Sequence, residues 1–289
     1  MLHSLLLTAM LVTSPGPDNT IKAKVSREFS SVKGTFAMAF RDLQTGVEIM
    51  INEREMFHAA STMKTPVMIE VYKQAAAGKF RLSDSVTVRQ NFKSIADGSE
   101  YILDQESDSD QELYKFKGNK VSIHDLLYRM IIRSSNLATN MIIELVGAEN
   151  VNETMRSIGA KDIRVLRGVE DLKAYEKGLN NMTNAYDQML IYSALATGDI
   201  AGPGSSKAMV KVLLDQEFND IIPARLPADV KVAHKTGSIS GVQHDAGIVY
   251  LPDGRKYVLV LLSKGLEDQK AGVEMMSRVS ELIWQFVNK

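Results

Sequence analysis

The sequence predicts a mixed α/β (α+β) fold: one antiparallel sheet built from both chain ends and flanked by helices, with an all-helical lobe inserted between them. Three observations lead there. Strand-like runs occur near the start and again near the end, the stretch from about 60 to 215 carries helical spacing, and the chain closes on an amphipathic helix.

Taken in order, residues 1–17 read as an export signal. Residues 5–12 form an apolar run too short to span a bilayer, followed by the breaker cluster Ser14-Pro15-Gly16-Pro17, and only His3 supplies a basic group ahead of it. Residues 21–30 read as a first helix. Residues 35–42 alternate Phe36, Met38 and Phe40 on one face, as a half-buried strand does, and Thr45-Gly46 turns the chain into a second strand over 47–51. Ile123, Leu126, Leu127, Met130 and Ile131 follow the i, i+3, i+4, i+7, i+8 stripe of a core-facing helix, and 137–146 is a further apolar helix stopped by Gly147. Strand signals return at 230–233, 246–251 and 257–263, the last two joined by the turn tripeptide Pro252-Asp253-Gly254. Residues 271–287 close the chain as a helix. The expected division is a signal at 1–17, a sheet-and-helix lobe from 18–60 and 216–289, and a helical lobe from 61–215.

Composition excludes several function classes. A chain of 289 residues buries roughly 75% of its unfolded surface, so it needs no disulfide or metal to hold a core. Cysteine is absent, which rules out thiol catalysis, thiolate zinc sites and iron–sulfur clusters. With 34 basic against 35 acidic residues the net charge is -1, which offers no strong electrostatic footprint for nucleic acid or an anionic membrane surface. The five histidines form no metal-spaced pair and read as structural or surface residues; His234 stands out because it directly precedes Lys235.

Residues 97–112 carry Asp97, Glu100, Asp104, Glu106, Asp108, Asp110 and Glu112 with no basic residue among them. The alternation invites a calcium-loop reading, but Ser109 stands where such a loop needs glycine. A solvated surface loop is the expected state, with an ion or partner site as the alternative.

The chemistry begins at Ser61-Thr62-Met63-Lys64, followed by Thr65-Pro66 and an apolar stretch over 67–77. Pro66 belongs in the first turn of a helix, so Ser61 and Lys64 share one face at its N-terminus. There the helix dipole disfavours a cation, and a neutral amine beside a hydroxyl can act as its base. Taken alone, the same four residues read as a capping serine and a solvated lysine. They are not alone: Ser134-Ser135-Asn136 follows the 123–133 helix, and Lys235-Thr236-Gly237-Ser238 follows the strand signal at 230–233. S-x-x-K, S-D-N and K-T-G in this order are the signature of class A β-lactamases and penicillin-binding proteins.

The sequence thus resembles a class A β-lactamase-like serine hydrolase of the β-lactamase/transpeptidase-like fold, over nearly all of its length after the signal. Glu176-Lys177-Gly178-Leu179-Asn180 matches the family's Glu-x-x-Leu-Asn loop, against the alternatives of a charged surface loop or of Glu170, which lacks the trailing Leu-Asn. The resemblance implies a catalytic set of Ser61, Lys64, Ser134 and Glu176. Ser61 is the nucleophile that forms an acyl-enzyme, Lys64 and a Glu176-bound water are the candidate bases, and Ser134 passes a proton to the leaving nitrogen. It implies substrate binding by Asn136, Asn180, Lys235, Thr236, Gly237 and Ser238, with the backbone N–H groups of Ser61 and Ser238 as the oxyanion hole. Neither a metal nor an organic cofactor is required. The implied partner is a small β-lactam or a peptidoglycan peptide; the implied protein is an exported monomer, periplasmic or secreted, with no nucleic-acid or membrane partner after signal removal.

Departures from the pattern keep other readings open. Ser135 replaces the usual Asp of the second motif, the loop after Asn180 is short, and Gln243, His244 and Asp245 fill the region where the family usually carries a second carboxylate-binding Arg, for which Arg225 is the candidate substitute. A D-alanyl-D-alanine peptidase or esterase, or a penicillin-binding sensor module of the same fold, are the alternatives.

Overall fold

The computed structural model describes residues 17–289, so the expected export signal lies outside the described residues except for Pro17, which opens helix α1 (Pro17–Phe29). Among the described residues no helix is long and apolar enough to cross a membrane.

The sheet is made from both chain ends. Strands β1 (Thr35–Asp42), β2 (Glu48–Ile51), β3 (Lys231–Ile239), β4 (Val242–Tyr250) and β5 (Lys256–Lys264) lie in the order β2-β1-β5-β4-β3, antiparallel throughout. The β1–β5 ladder joins the two ends, with Phe40 opposite Leu259. Strand β1 differs from the expected half-buried strand. Phe36, Met38 and Phe40 are buried on one face as the alternation predicts, but Ala37 and Ala39 are buried on the other, where their small side chains let the helical lobe approach the sheet. Strand β3 also runs further than its apolar signal. It continues through Lys235-Thr236-Gly237-Ser238, whose polar residues hide it from a hydrophobicity reading.

The inserted lobe contains α2 (Lys64–Ala76), α3 (Ile123–Ile132), α4 (Asn136–Val146), α5 (Ala148–Ser157), α6 (Leu172–Glu176), α7 (Ala185–Thr197) and α8 (Pro203–Leu214). The α3 stripe is buried as its spacing predicts, and Ser122 caps the helix by accepting from the Asp125 N–H. Each such aliphatic side chain contributes about 1.5–3 kcal/mol on burial. Helix α4 ends at Gly147, whose φ of +78° favours glycine. The lobe is not all-helical, which corrects the sequence expectation. Two short ribbons lie within it, pairing Ser85–Thr87 with Lys120–Ser122 and Asn91–Lys93 with Glu100–Ile102, and a third pairs its Met182–Thr183 with Phe57–His58 just before it. Strands of two or three residues are too short to leave an alternating pattern.

Helix α9 (Gln269–Val287) packs with α1 on the opposite face of the sheet, where Val25, Met275, Val279 and Ile283 meet Met38, Phe40 and Leu259. The sheet is therefore sandwiched between two apolar layers. The cleft that carries the three motifs lies where the β3 edge meets the helical lobe.

Candidate active site

Ser61 sits in a 3-10 turn over Ala60–Met63 that runs directly into α2, so Lys64 is the first residue of the α-helix. The capping reading of Ser61 does not apply, because no side chain caps either helix start. Ser61 faces the cleft, while Lys64 is fully buried. Ala60, just before the serine, has a φ of +45°, a strained value for alanine that the surrounding structure must hold in place.

The Lys64 ammonium is held by the second motif. Its Nζ donates to the Ser134 carbonyl at 2.6 Å, to Ser134 Oγ at 3.1 Å and to Asn136 Oδ1 at 3.2 Å. Burial pulls the Lys64 pKa down to about 7, against the opposing pull of the Asp108 and Glu170 carboxylates. A buried lysine whose pKa is lowered in this way gives up its proton far more readily than an exposed one, and the neutral amine can accept a proton. Ser134 bridges the α3–α4 junction with a φ of +57°, again outside the ordinary range of a non-glycine residue.

The third motif closes the cluster from β3. Lys235, fully buried, donates from Nζ to Ser134 Oγ at 3.2 Å and to the Thr236 carbonyl at 3.0 Å, so the Ser134 hydroxyl lies between two amines. Burial, followed by repulsion from Lys64, holds the Lys235 pKa well below its ordinary value. Gly237 is needed for close approach: a Cβ there would meet Thr62 Cγ2 at 3.1 Å, Ala60 Cβ at 3.2 Å and the Ser61 backbone nitrogen at 3.2 Å. That contact brings the strand that carries Ser238 against the turn that carries Ser61. Thr236 and Ser238 line the cleft.

Glu176 and Asn180 are not brought to this cluster. Asp171 caps α6 by accepting from the Ala174 N–H, which leaves Glu176 at the exposed far end of that helix with no hydrogen bond or ion pair among the described residues. Asn180 Oδ1 accepts instead from Arg167 Nη2 at 3.0 Å. The carboxylate that reaches the cluster is Glu170, whose Oε1 accepts from Asn136 Nδ2 at 2.8 Å and whose φ is +62°. Its loop is pinned by contacts remote in sequence. Asn140 Oδ1 accepts from the Val169 N–H at 2.6 Å, and Asp171 accepts from Ser94 Oγ at 2.7 Å. The Asp171 cap was the available signal, since it places Glu170 just before the helix and Glu176 at its end.

Ser61, Ser134, Asn136, Thr236, Ser238 and Arg225 all line one cleft of about 1080 Å³. Arg225 donates from Nε to Ser277 Oγ at 2.9 Å and lies 3.6 Å from Glu274 and 3.8 Å from Glu281, so its charge is already partnered. Gln243 faces the cleft and donates to Ser238 Oγ at 2.9 Å. His244, on β4, is buried against the His58 carbonyl at 2.9 Å, while His234 on β3 pairs with Asp245 at 2.8 Å.

An antiparallel sheet backed by two helices, with a serine and two buried lysines converging where it meets a helical lobe, defines the active-site-serine hydrolase class of the β-lactamase/transpeptidase fold. The chain belongs to the beta-lactamase enzyme family, whose model matches residues 20–287. It is similar to the extended-spectrum beta-lactamase PER-1 of Pseudomonas aeruginosa, 24% identical over 249 residues, covering 82% of this chain and 78% of that one. Its fold matches the crystal structure of a beta-lactamase from Sphaerobacter thermophilus DSM 20745 with a TM-score of 0.81 at 27% identity, covering 93% and 97% of the two chains. The structure of PBP-A is also similar, with a TM-score of 0.78 at 25% identity, covering 94% and 96%.

Proposed function

We propose that the chain is an exported, class A-like serine β-lactamase that opens the β-lactam amide through an acyl-enzyme on Ser61. The observation that carries this reading is the chain of contacts from Lys64 through Asn136 to Glu170, beside a Ser134 hydroxyl shared by Lys64 and Lys235.

Ser61 Oγ attacks the carbonyl carbon and its proton passes to neutral Lys64. The C–N bond breaks as the leaving nitrogen takes a proton from Ser134 Oγ, which is resupplied from the adjoining amines. The Ser61 and Ser238 backbone N–H groups stabilise the oxyanion. Thr236 and Lys235 supply donors and positive charge for the substrate carboxylate. A water held by Glu170 then gives a proton to that carboxylate as its oxygen bonds to the ester carbon; the acyl C–O bond breaks, the proton returns to Ser61 Oγ through the neighbouring lysine, and free Ser61 and the opened acid are released. Glu170 takes the place that the sequence pattern assigned to Glu176, because Glu170 alone of the two contacts the cluster. The enzyme works as a monomer, without nucleic-acid or membrane partners, and its cleft lies between the sheet lobe and the inserted lobe.

A peptidase or penicillin-binding reading is favoured by one observation: Gln243 faces the cleft on β4, and Arg225 is occupied by Ser277 and two glutamates. Mass spectrometry after mixing with a penicillin separates the readings. A transient adduct on Ser61 with release of opened product is expected; a persistent adduct supports the alternative, and no adduct with any β-lactam removes both.

A further inference from the structure

The second motif lacks the aspartate its pattern calls for, and the acidic segment supplies a carboxylate to the same place. Asp108 is 3% exposed, in contrast to the solvated state expected for its segment. Its Oδ1 accepts from the Asn136 N–H at 3.1 Å and the Asp110 N–H at 3.0 Å. Its Oδ2 accepts from the Leu137 N–H at 2.8 Å and the Tyr114 hydroxyl at 3.2 Å. Asn136 and Leu137 open α4, and Ser135 Oγ accepts from the next amide, that of Ala138, at 3.2 Å. The first three free N–H groups of the helix are thus satisfied by two side chains, one local and one from 28 residues before the helix start.

The segment is fastened on both sides of the turn. Asp110 accepts twice from Arg129 Nη1 on α3, at 3.1 and 3.0 Å, and Ser109 Oγ donates to the Arg133 carbonyl at 2.5 Å. Between these anchors stands Ser134, whose left-handed backbone persists only if its neighbours determine it. Among the described residues no group of three acidic or histidine side chains is placed to hold a metal ion.

We propose that Asp108 is the positioning residue of the second motif: it replaces, from a distant segment, the aspartate missing at position 135, and so holds Ser134 and Asn136 against Lys64. The inference rests on reading Ser61 and Lys64 as nucleophile and base. The charged groups facing Lys64 are Asp108, Glu170 and Lys235, and Asp108 supports the protonated amine.

The test is the rate of Ser61 labelling by a small fluorophosphonate, followed against pH in wild type, Asp108→Asn and the exposed control Glu106→Gln. Asp108→Asn is expected to slow labelling roughly 100-fold, the cost of displacing a reacting group by about 1 Å. It also moves the acid limb of the profile to lower pH, because a negative charge near Lys64 is lost. Glu106→Gln leaves both unchanged. A folded Asp108→Asn protein that labels within about twofold of wild type with an unmoved limb overturns the proposal. If Asp108→Asn does not fold, the double variant with Ser135→Asp decides. Recovery of folding and labelling supports the assignment; a folded double variant inert at Ser61 overturns it. A wild type that labels yet opens no penicillin removes the lactamase reading and leaves this one standing.

Discussion

Asn136 Nδ2 donates to Glu170 Oε1 at 2.8 Å, while Oδ1 of the same amide accepts from Lys64 at 3.2 Å. The amide has one orientation that satisfies both an ammonium and a carboxylate, so it links the groups proposed as the bases of the two steps.

Glu170→Gln accumulates acyl-enzyme with a penicillin, slowing deacylation by about 100-fold or more, as loss of a general base does. Glu176→Gln hydrolyses at the wild-type rate. Both are read by mass spectrometry and single-turnover kinetics; the reverse result would return the role to the helix end.

Acylation rises with pH through about 7 and then levels, following the neutral fraction of Lys64. Lys64→Arg, permanently charged, loses acylation by about 100-fold or more at every pH tested. Stopped-flow acylation rates supply the check, and a flat wild-type profile between about pH 5 and 9 would refute the assignment.

Lys64 also makes stability depend on pH. Its pKa is about 7 folded against an ordinary 10.5. Below the folded value both states hold the proton and the full penalty of a buried charge is present. Between the two values only the unfolded state holds it, so stability rises with pH. The stability of wild type relative to Lys64→Met therefore increases between about pH 7 and 10, measured by urea unfolding; a constant difference would contradict the burial argument.

Gly168→Ala strikes the loop that carries Glu170. Its Cβ would lie 2.4 Å from Asn140 Oδ1, the atom that accepts from Val169 N–H. Relief requires shifting the Asn140 side chain, which costs about 1–3 kcal/mol. The variant is expected to unfold at lower urea and to deacylate more slowly while acylating normally. Equal slowing of both steps would show that the loop serves more than Glu170.

Much of the molecule was readable in its residues. The Ser61–Lys64 pair is local, because three residues along one helical turn share a face whatever surrounds them. The α3 stripe, the β1 alternation and the turn at Pro252-Asp253-Gly254 are likewise periodic or conformational signals carried by neighbouring residues, and together they lead to the sheet built from both ends. The order of the three motifs led to the hydrolase class.

Tertiary structure decided which acid reaches the cluster. Glu176 had the better local pattern, yet the path of its loop is set by Asn140, Ser94 and Arg167, whose partners lie between 12 and 77 residues away along the chain. Asp108 reads as one more acid in a solvated run, and only folding brings it to the α4 N-terminus 28 residues on. A helical or strand period reports what lies within a few residues. Burial of a carboxylate depends on donors delivered by other segments, so its role appears only once those segments meet.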